Sequence, residues 1–194
     1  IAIAQALDTN STFQEIALGG NQLGDVGATV LAKTLERNST LLALELRQNQ
    51  IADDGAVALG KALENNAALK TLHLHSNKIG DVGTEAIANA LSSNSTLRVL
   101  TLNNNQIAGV GATALGSALE KNAAVNELTL HNNKIDDAGA SAIAHSLQHN
   151  KTIRVLSLHN NQVGKDGAIA FGAALQQNKS LQTLNLHNNA VGHA

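Results

Sequence analysis

Two hydrophobic rhythms alternate along the chain. In Leu69-Lys-Thr-Leu72-His-Leu74-His-Ser-Asn77 apolar and polar residues take turns, which predicts a short strand with Leu72 and Leu74 on one face and Thr71, His73 and His75 on the other. From Asp81 to Ser93 the apolar residues fall at Ala86, Ile87, Ala90 and Leu91, the spacing of a helix with one buried face. Ile79 closes the inner side of the loop between them.

This succession returns every 28 residues. Asn recurs at 10, 38, 66, 94, 122, 150 and 178, and a second Asn column runs from Asn21 through Asn49, Asn77, Asn105, Asn133 and Asn161 to Asn189. Gly keeps the period from Gly27 to Gly167, and Leu from Leu7 to Leu175. Six full units cover residues 11–178, a partial repeat covers 1–10 and another 179–194, so one repeat domain is expected over 1–194. Asp25, Asp53, Asp81 and Asp137 stand near predicted helix starts, where a carboxylate can cap exposed backbone N–H groups. The Asn at each helix end is expected to take the left-handed turn that closes the helix. The Asn after each strand should turn inward and satisfy backbone groups between units. From residue 59 the helix core also alternates in pairs, Leu59-Gly60, Ile87-Ala88, Leu115-Gly116, Ile143-Ala144 and Phe171-Gly172. This 56-residue super-period predicts growth by duplication of a two-unit block, with each Gly receiving a bulkier neighbour from the next helix.

The pattern L-x-x-L-x-L-x-x-N-x-I, as in LRVLTLNNNQI at 97–107, resembles the leucine-rich repeats. The 28-residue length and the G-A-x-A-[LI]-[AG]-x-[AS]-L helix are similar to the ribonuclease-inhibitor subfamily, also found in NOD-like receptors and the Ran GTPase-activating protein. The resemblance implies an α/β solenoid, a right-handed horseshoe arc with a concave parallel sheet and convex helices. One unit cannot bury its Leu stripe alone, so neighbours must stack. Such solenoids carry polar capping repeats. The partial helix IAIAQALDTN and the final strand and turn do not look like caps, so the ends are expected to pack on another domain or subunit, or to continue in a longer protein.

Composition narrows the function. The chain has 43% hydrophobic residues, 1% aromatic residues, and no Pro, Cys, Met, Trp or Tyr, so its core must be aliphatic and Ala-rich. A formal charge of −2 gives no electrostatic footprint for nucleic acid or an anionic membrane, and both are disfavoured as partners. The missing cysteines remove thiolate chemistry and fit a reducing compartment, and the subfamily it resembles is largely cytosolic, so a cytoplasmic location is expected. No apolar run approaches a membrane span.

A partner is expected on the outward strand positions: Glu45, Arg47, Thr71, His73, His75, Thr101, Asn103, Glu127, Thr129, His131, Ser157, His159, Asn185 and His187. Over the whole outward face, Glu15, Glu45 and Glu127 stand against Arg47, and the five histidines would carry its charge from −2 to +3 if all were protonated. His73, His75 and a neighbouring Glu45 offer three ligands for a first-row metal. Yet His75, His131, His159 and His187 repeat the same position, as a copied consensus residue does, so no metal or cofactor is assigned.

No catalytic site is assigned either. There is no G-x-S-x-G elbow, P-loop or G-x-G-x-x-G after a strand, and the pairs Asp53/Asp54 and Asp136/Asp137 fall at helix starts, where capping explains them. The N-x-[ST] sequons at Asn10, Asn38, Asn94, Asn150 and Asn178 arise where Asn closes a helix and Ser or Thr opens the next strand. The expected function is a non-enzymatic protein-interaction scaffold or recognition module, such as the sensing arm of a larger NOD-like-receptor-type protein. The absence of Trp and Tyr anchors argues against a tight inhibitor of the ribonuclease-inhibitor type. A GTPase-activating regulator is the alternative, with Arg47 or Asn103 as the residue reaching the GTPase. This assignment of faces predicts that Leu102→Ala costs ~2–5 kcal/mol and His131→Ala less than ~0.5 kcal/mol in urea denaturation at pH 7. The reverse order would mean that the two faces are inverted.

Overall fold

The computed structural model describes residues 2–192. Within them helices and strands alternate: α1 (Ala2–Thr9), β1 (Glu15–Ala17), α2 (Gly24–Leu35), β2 (Ala43–Glu45), α3 (Asp53–Asn65), β3 (Thr71–His73), α4 (Asp81–Leu91), β4 (Val99–Thr101), α5 (Gly109–Lys121), β5 (Glu127–Thr129), α6 (Asp137–Leu147), β6 (Val155–Ser157), α7 (Lys165–Gln177) and β7 (Thr183–Asn185). The strands form one parallel sheet in chain order, and each residue pairs with the one 28 positions away, Leu72 with both Leu44 and Leu100. Ladder bonds run on past the short strands, since the Leu74 N–H donates to the Thr101 carbonyl and the Ser76 N–H to that of Asn103. The result is the α/β solenoid that the two hydrophobic rhythms require.

Leu72, Leu74, Ile79, Ile87, Ala90 and Leu91 are all fully buried, so each rung closes its own slice of a continuous core between sheet and helices. Parallel strands repeat every ~4.8 Å, whereas packed helices sit ~8–10 Å apart. A stack with both must therefore bend toward the sheet, which makes the sheet face the inner one. The predicted pairing of rungs appears as alternating helix lengths, 13 residues in α3, α5 and α7 against 11 in α4 and α6. Its physical basis differs from the expectation. A Cβ on Gly60 would lie 2.8 Å from the Ala86 carbonyl oxygen, and one on Gly116 2.6 Å from the Ala142 carbonyl carbon. These glycines admit the backbone of the next helix, not a bulkier side chain.

The helix-end asparagines also depart from expectation. Asn66, Asn122 and Asn178 are extended, with φ of −77°, −73° and −70°, and left-handed residues instead flank the other Asn column, one position before it at Gln48, Ser76, Asn104, Asn132, Asn160 and Asn188 and one after it at Gln22 and Gln50. The reason is that the helix-end Asn has a different task. Asn122 Nδ2 donates to the carbonyls of Leu91 and Asn94 in the preceding rung, at 2.7 and 3.0 Å, while its Oδ1 accepts the N–H groups of Ala124 and Val125. Asn38, Asn66, Asn94, Asn150 and Asn178 repeat this staple. In the sequons at Asn38, Asn94, Asn150 and Asn178 the following Thr or Ser hydroxyl adds a bond to the same Oδ1. The expected ladder after the strands is present as well: Asn105 Oδ1 accepts the Ile79 N–H while its Nδ2 donates to Leu74 and Leu102.

The aspartates cap, but not their own helices. Asp25, Asp53, Asp81 and Asp137 each accept two N–H groups at the start of the next helix, those of Gly80 and Gly83 in the case of Asp53. Where the column carries Gly109, helix α6 is instead capped by its own Asp136, which accepts the Gly139 N–H. A Cβ at Gly109 would lie 2.4 Å from that carboxylate, so the two solutions exclude each other.

Asn122→Ala strands two carbonyls and two N–H groups in a buried setting, each worth about 1–3 kcal/mol. It should lower stability by at least ~2 kcal/mol in urea denaturation. The exposed neighbour Asn126→Ala should change it by less than ~0.5 kcal/mol.

Candidate functional site

The strand positions that face away from the helices lie in register, so every candidate residue stands above or below its counterpart 28 positions away. The face is polar and its side chains are held. Glu45 pairs with Arg47 on its own rung and lies beside His73 across the β2–β3 ladder. Thr71 and Glu127 are half-buried, on β3 and β5. His73 and His75 both place Nδ1 3.2 Å from the Thr101 hydroxyl. That hydroxyl has one proton to give, so making both bonds requires one ring to carry its proton on Nδ1. Thr101 and Asn103 are buried, and Asn103 accepts a 3.0 Å bond from Thr129. An Asn103 held in this way does not project from a rim, as the GTPase-activator alternative requires.

Beyond Thr129 the histidines form a column. His131 and His159 stack with centroids 4.1 Å apart, and His159 and His187 with centroids 4.3 Å apart. Ser157 and Asn185 anchor the last two rings through Nδ1, at 2.8 and 2.7 Å, while Nδ1 of His131 is buried without a partner. Burial, then charge repulsion from His159, His75 and His187, push the His131 imidazole down to about 4. His75 is lowered by burial, then by His73 and Arg47 against the opposing pull of Glu45, and His159 by burial and His187. His75, His131 and His159 are therefore harder to charge than a free imidazole, through burial first and neighbouring rings second.

Glu45, His73 and His75 do not gather as ligands. Among the described residues, one group of His and carboxylate side chains brings its ligand atoms within 4.8 Å of one another, and it lies on the helix side: Glu120, His145 and His149. The sequence signal for it, His-x-x-x-His at 145–149, was visible, but only the fold brings Glu120 from the preceding rung beside it.

The lowered His131 has a consequence for stability. An unfolded histidine takes up a proton near 6.5 and the folded one only near 4, so this contribution is complete above ~6.5 and declines as the pH falls toward about 4. Urea midpoints at pH 7 and pH 5 should show His131→Ala losing less stability than the wild type on acidification; an equal loss would mean that His131 is not held neutral.

The six inner turns of this solenoid match a family model described as "Leucine Rich repeat", at residues 9–32, 37–60, 65–88, 93–116, 121–144 and 149–172. Two solved structures have a similar fold. "Leiomodin-1 Actin-Binding Site 2 (ABS2)" is 20% identical with a TM-score of 0.61, over 90% of this chain and 86% of that one. The tropomodulin C-terminal domain of Caenorhabditis elegans is 13% identical with a TM-score of 0.56, over 91% and 90%. No curated protein matches the chain. With the repeat model recurring in phase along most of the sequence, on rungs whose Leu, Asn and Ile positions carry the same contacts each time, the chain belongs to the leucine-rich repeat family.

Proposed function

We propose that the chain is a non-enzymatic protein-binding module whose sheet face holds a macromolecular partner across β2 to β6. The observation that carries this reading is the fixed polar array on that face. His73 and His75 are bonded to Thr101, Thr129 to Asn103 and Ser157 to His159, so little side-chain freedom remains to be lost on binding. The printed description of one structural neighbour names an actin-binding site, which supports a protein partner and makes actin the first defined ligand to test. The small net charge supports neither nucleic acid nor an anionic membrane as partner. Among the described residues no helix is long and apolar enough to cross a membrane. A cysteine-free module of this kind suits the cytoplasm, alone or within a larger receptor of the NOD-like type.

A regulator resembling the Ran GTPase-activating protein gains no support from the geometry. Arg47 is engaged by Glu45, and Asn103 is buried and bonded to Thr129.

The test places a photo-crosslinking residue at position 73 or 129 on the sheet face, or at the exposed helix-side positions 61 or 117, and presents the protein to purified actin and to extract. Capture should occur from 73 and 129. The combined change His73→Ala, His75→Ala and Thr129→Ala should then weaken the captured complex at least ~10-fold, about 1.4 kcal/mol. Equal capture from 61 and 117, or unchanged affinity, would overturn the assignment of this face.

A further inference from the structure

We propose that Glu120, His145 and His149 form a binding site for a zinc-class divalent transition ion on the helix side of the solenoid. Glu120 lies in the last turn of α5 and His145 in the last turn of α6, and His149 follows α6 by two residues. His145 and His149 are four apart, the spacing that puts two side chains on one side of a helical turn. Their rings stand edge to face with centroids 6.1 Å apart, and the ligand atoms of all three residues lie within 4.8 Å of one another. A tetrahedral ion with bonds of about 2.0–2.2 Å needs these atoms somewhat closer. All three side chains are exposed, so the remaining movement is rotation of free side chains, and water can complete the coordination.

Three further features distinguish this cluster from a chance grouping of surface residues. It is not a copied consensus. The positions matching His145 in neighbouring rungs carry Lys61, Asn89 and Ser117, and those matching His149 carry Asn65, Ser93 and Lys121, so the two imidazoles occur together in a single rung. This is the opposite of the sheet-face histidine column, where repetition argues against a built site. The scaffold beneath is also rigid. The backbone of α6 at Ala142 touches Gly116 of α5 too closely to admit a Cβ, so the two helices that supply the ligands keep their spacing. Finally, the ligands sit at two helix C-termini, the ends at which the aligned peptide dipoles leave partial negative charge that favours a cation. Near the end of α2 that charge meets Lys33 and Arg37; near the end of α6 it meets two neutral-capable metal ligands.

Zinc, nickel and magnesium titrated separately into the full chain, followed by calorimetry and by thermal unfolding, test the site. Zinc and nickel should bind with a stoichiometry of one and raise the melting temperature, EDTA should reverse the shift, and magnesium should do neither. His145→Ala and His149→Ala should each weaken zinc binding at least ~10-fold, and Glu120→Gln should weaken it less. Circular dichroism should show all three variants folded, because the replaced side chains are exposed. His73→Ala/His75→Ala and His131→Ala/His159→Ala should bind zinc as the wild type does. The proposal is overturned if zinc does not bind, if the His145→Ala/His149→Ala variant binds it undiminished, or if the loss follows the sheet-face histidines instead.

Discussion

The buried asparagine at each helix end is the contact on which the rest of the solenoid depends. A rung that ends a helix and at once begins a strand leaves carbonyls and N–H groups inside the protein that the rung alone cannot satisfy. An amide side chain meets both needs, giving two protons to the rung behind and accepting two from its own following residues, as Asn122 does. Because the same four bonds form at every inner rung, each unit can seat only in phase with the one before it. The 28-residue strand register, the closed Leu core and the columns of the sheet face all follow from that seating.

The periodic features of this arrangement were readable from the chain. Leu72, Leu74 and Ile79 are buried, the sheet is parallel, and Asn105 turns inward, as their spacing demands. The errors share a cause. Asp53 caps α4 and not its own helix, Asn122 is extended and not left-handed, and Gly116 meets backbone and not a side chain. A period aligns each residue with its own copies but does not say which rung its side chain reaches, and here the side chains reach across. The candidate face was legible as positions and not as energetics. Burial of Thr101 and Asn103, and the burial and His159 stacking that make His131 hard to charge, depend on neighbouring rungs.

The two broad surfaces have opposite chemistries despite sharing a repeat. On the sheet face the ~4.8 Å strand spacing brings like residues into contact, so histidines of successive rungs stack. On the helix side the greater spacing keeps like residues apart, and unlike residues from adjacent rungs can meet, as Glu120 meets His145 and His149. Specific constellations arise more readily there, because an interaction between different positions does not have to work in every copy.

The exchange at Gly109 and Asp136 bears on how such an array can be rearranged. For α3, α4, α5 and α7 the carboxylate that caps the helix belongs to the rung before it, so the cap itself is kept whichever of these rungs follows. The α5 and α6 rungs instead form a matched pair, with the glycine in one making room for the carboxylate in the other. Shuffling α6 behind a rung that carries its own aspartate would set two carboxylates against one helix start, and an ordinary rung placed behind α5 would have no cap at all. The cap at this junction is therefore kept only when the two rungs move together, as a block of 56 residues, the same block length that the close helix approaches at Gly60 and Gly116 already favour.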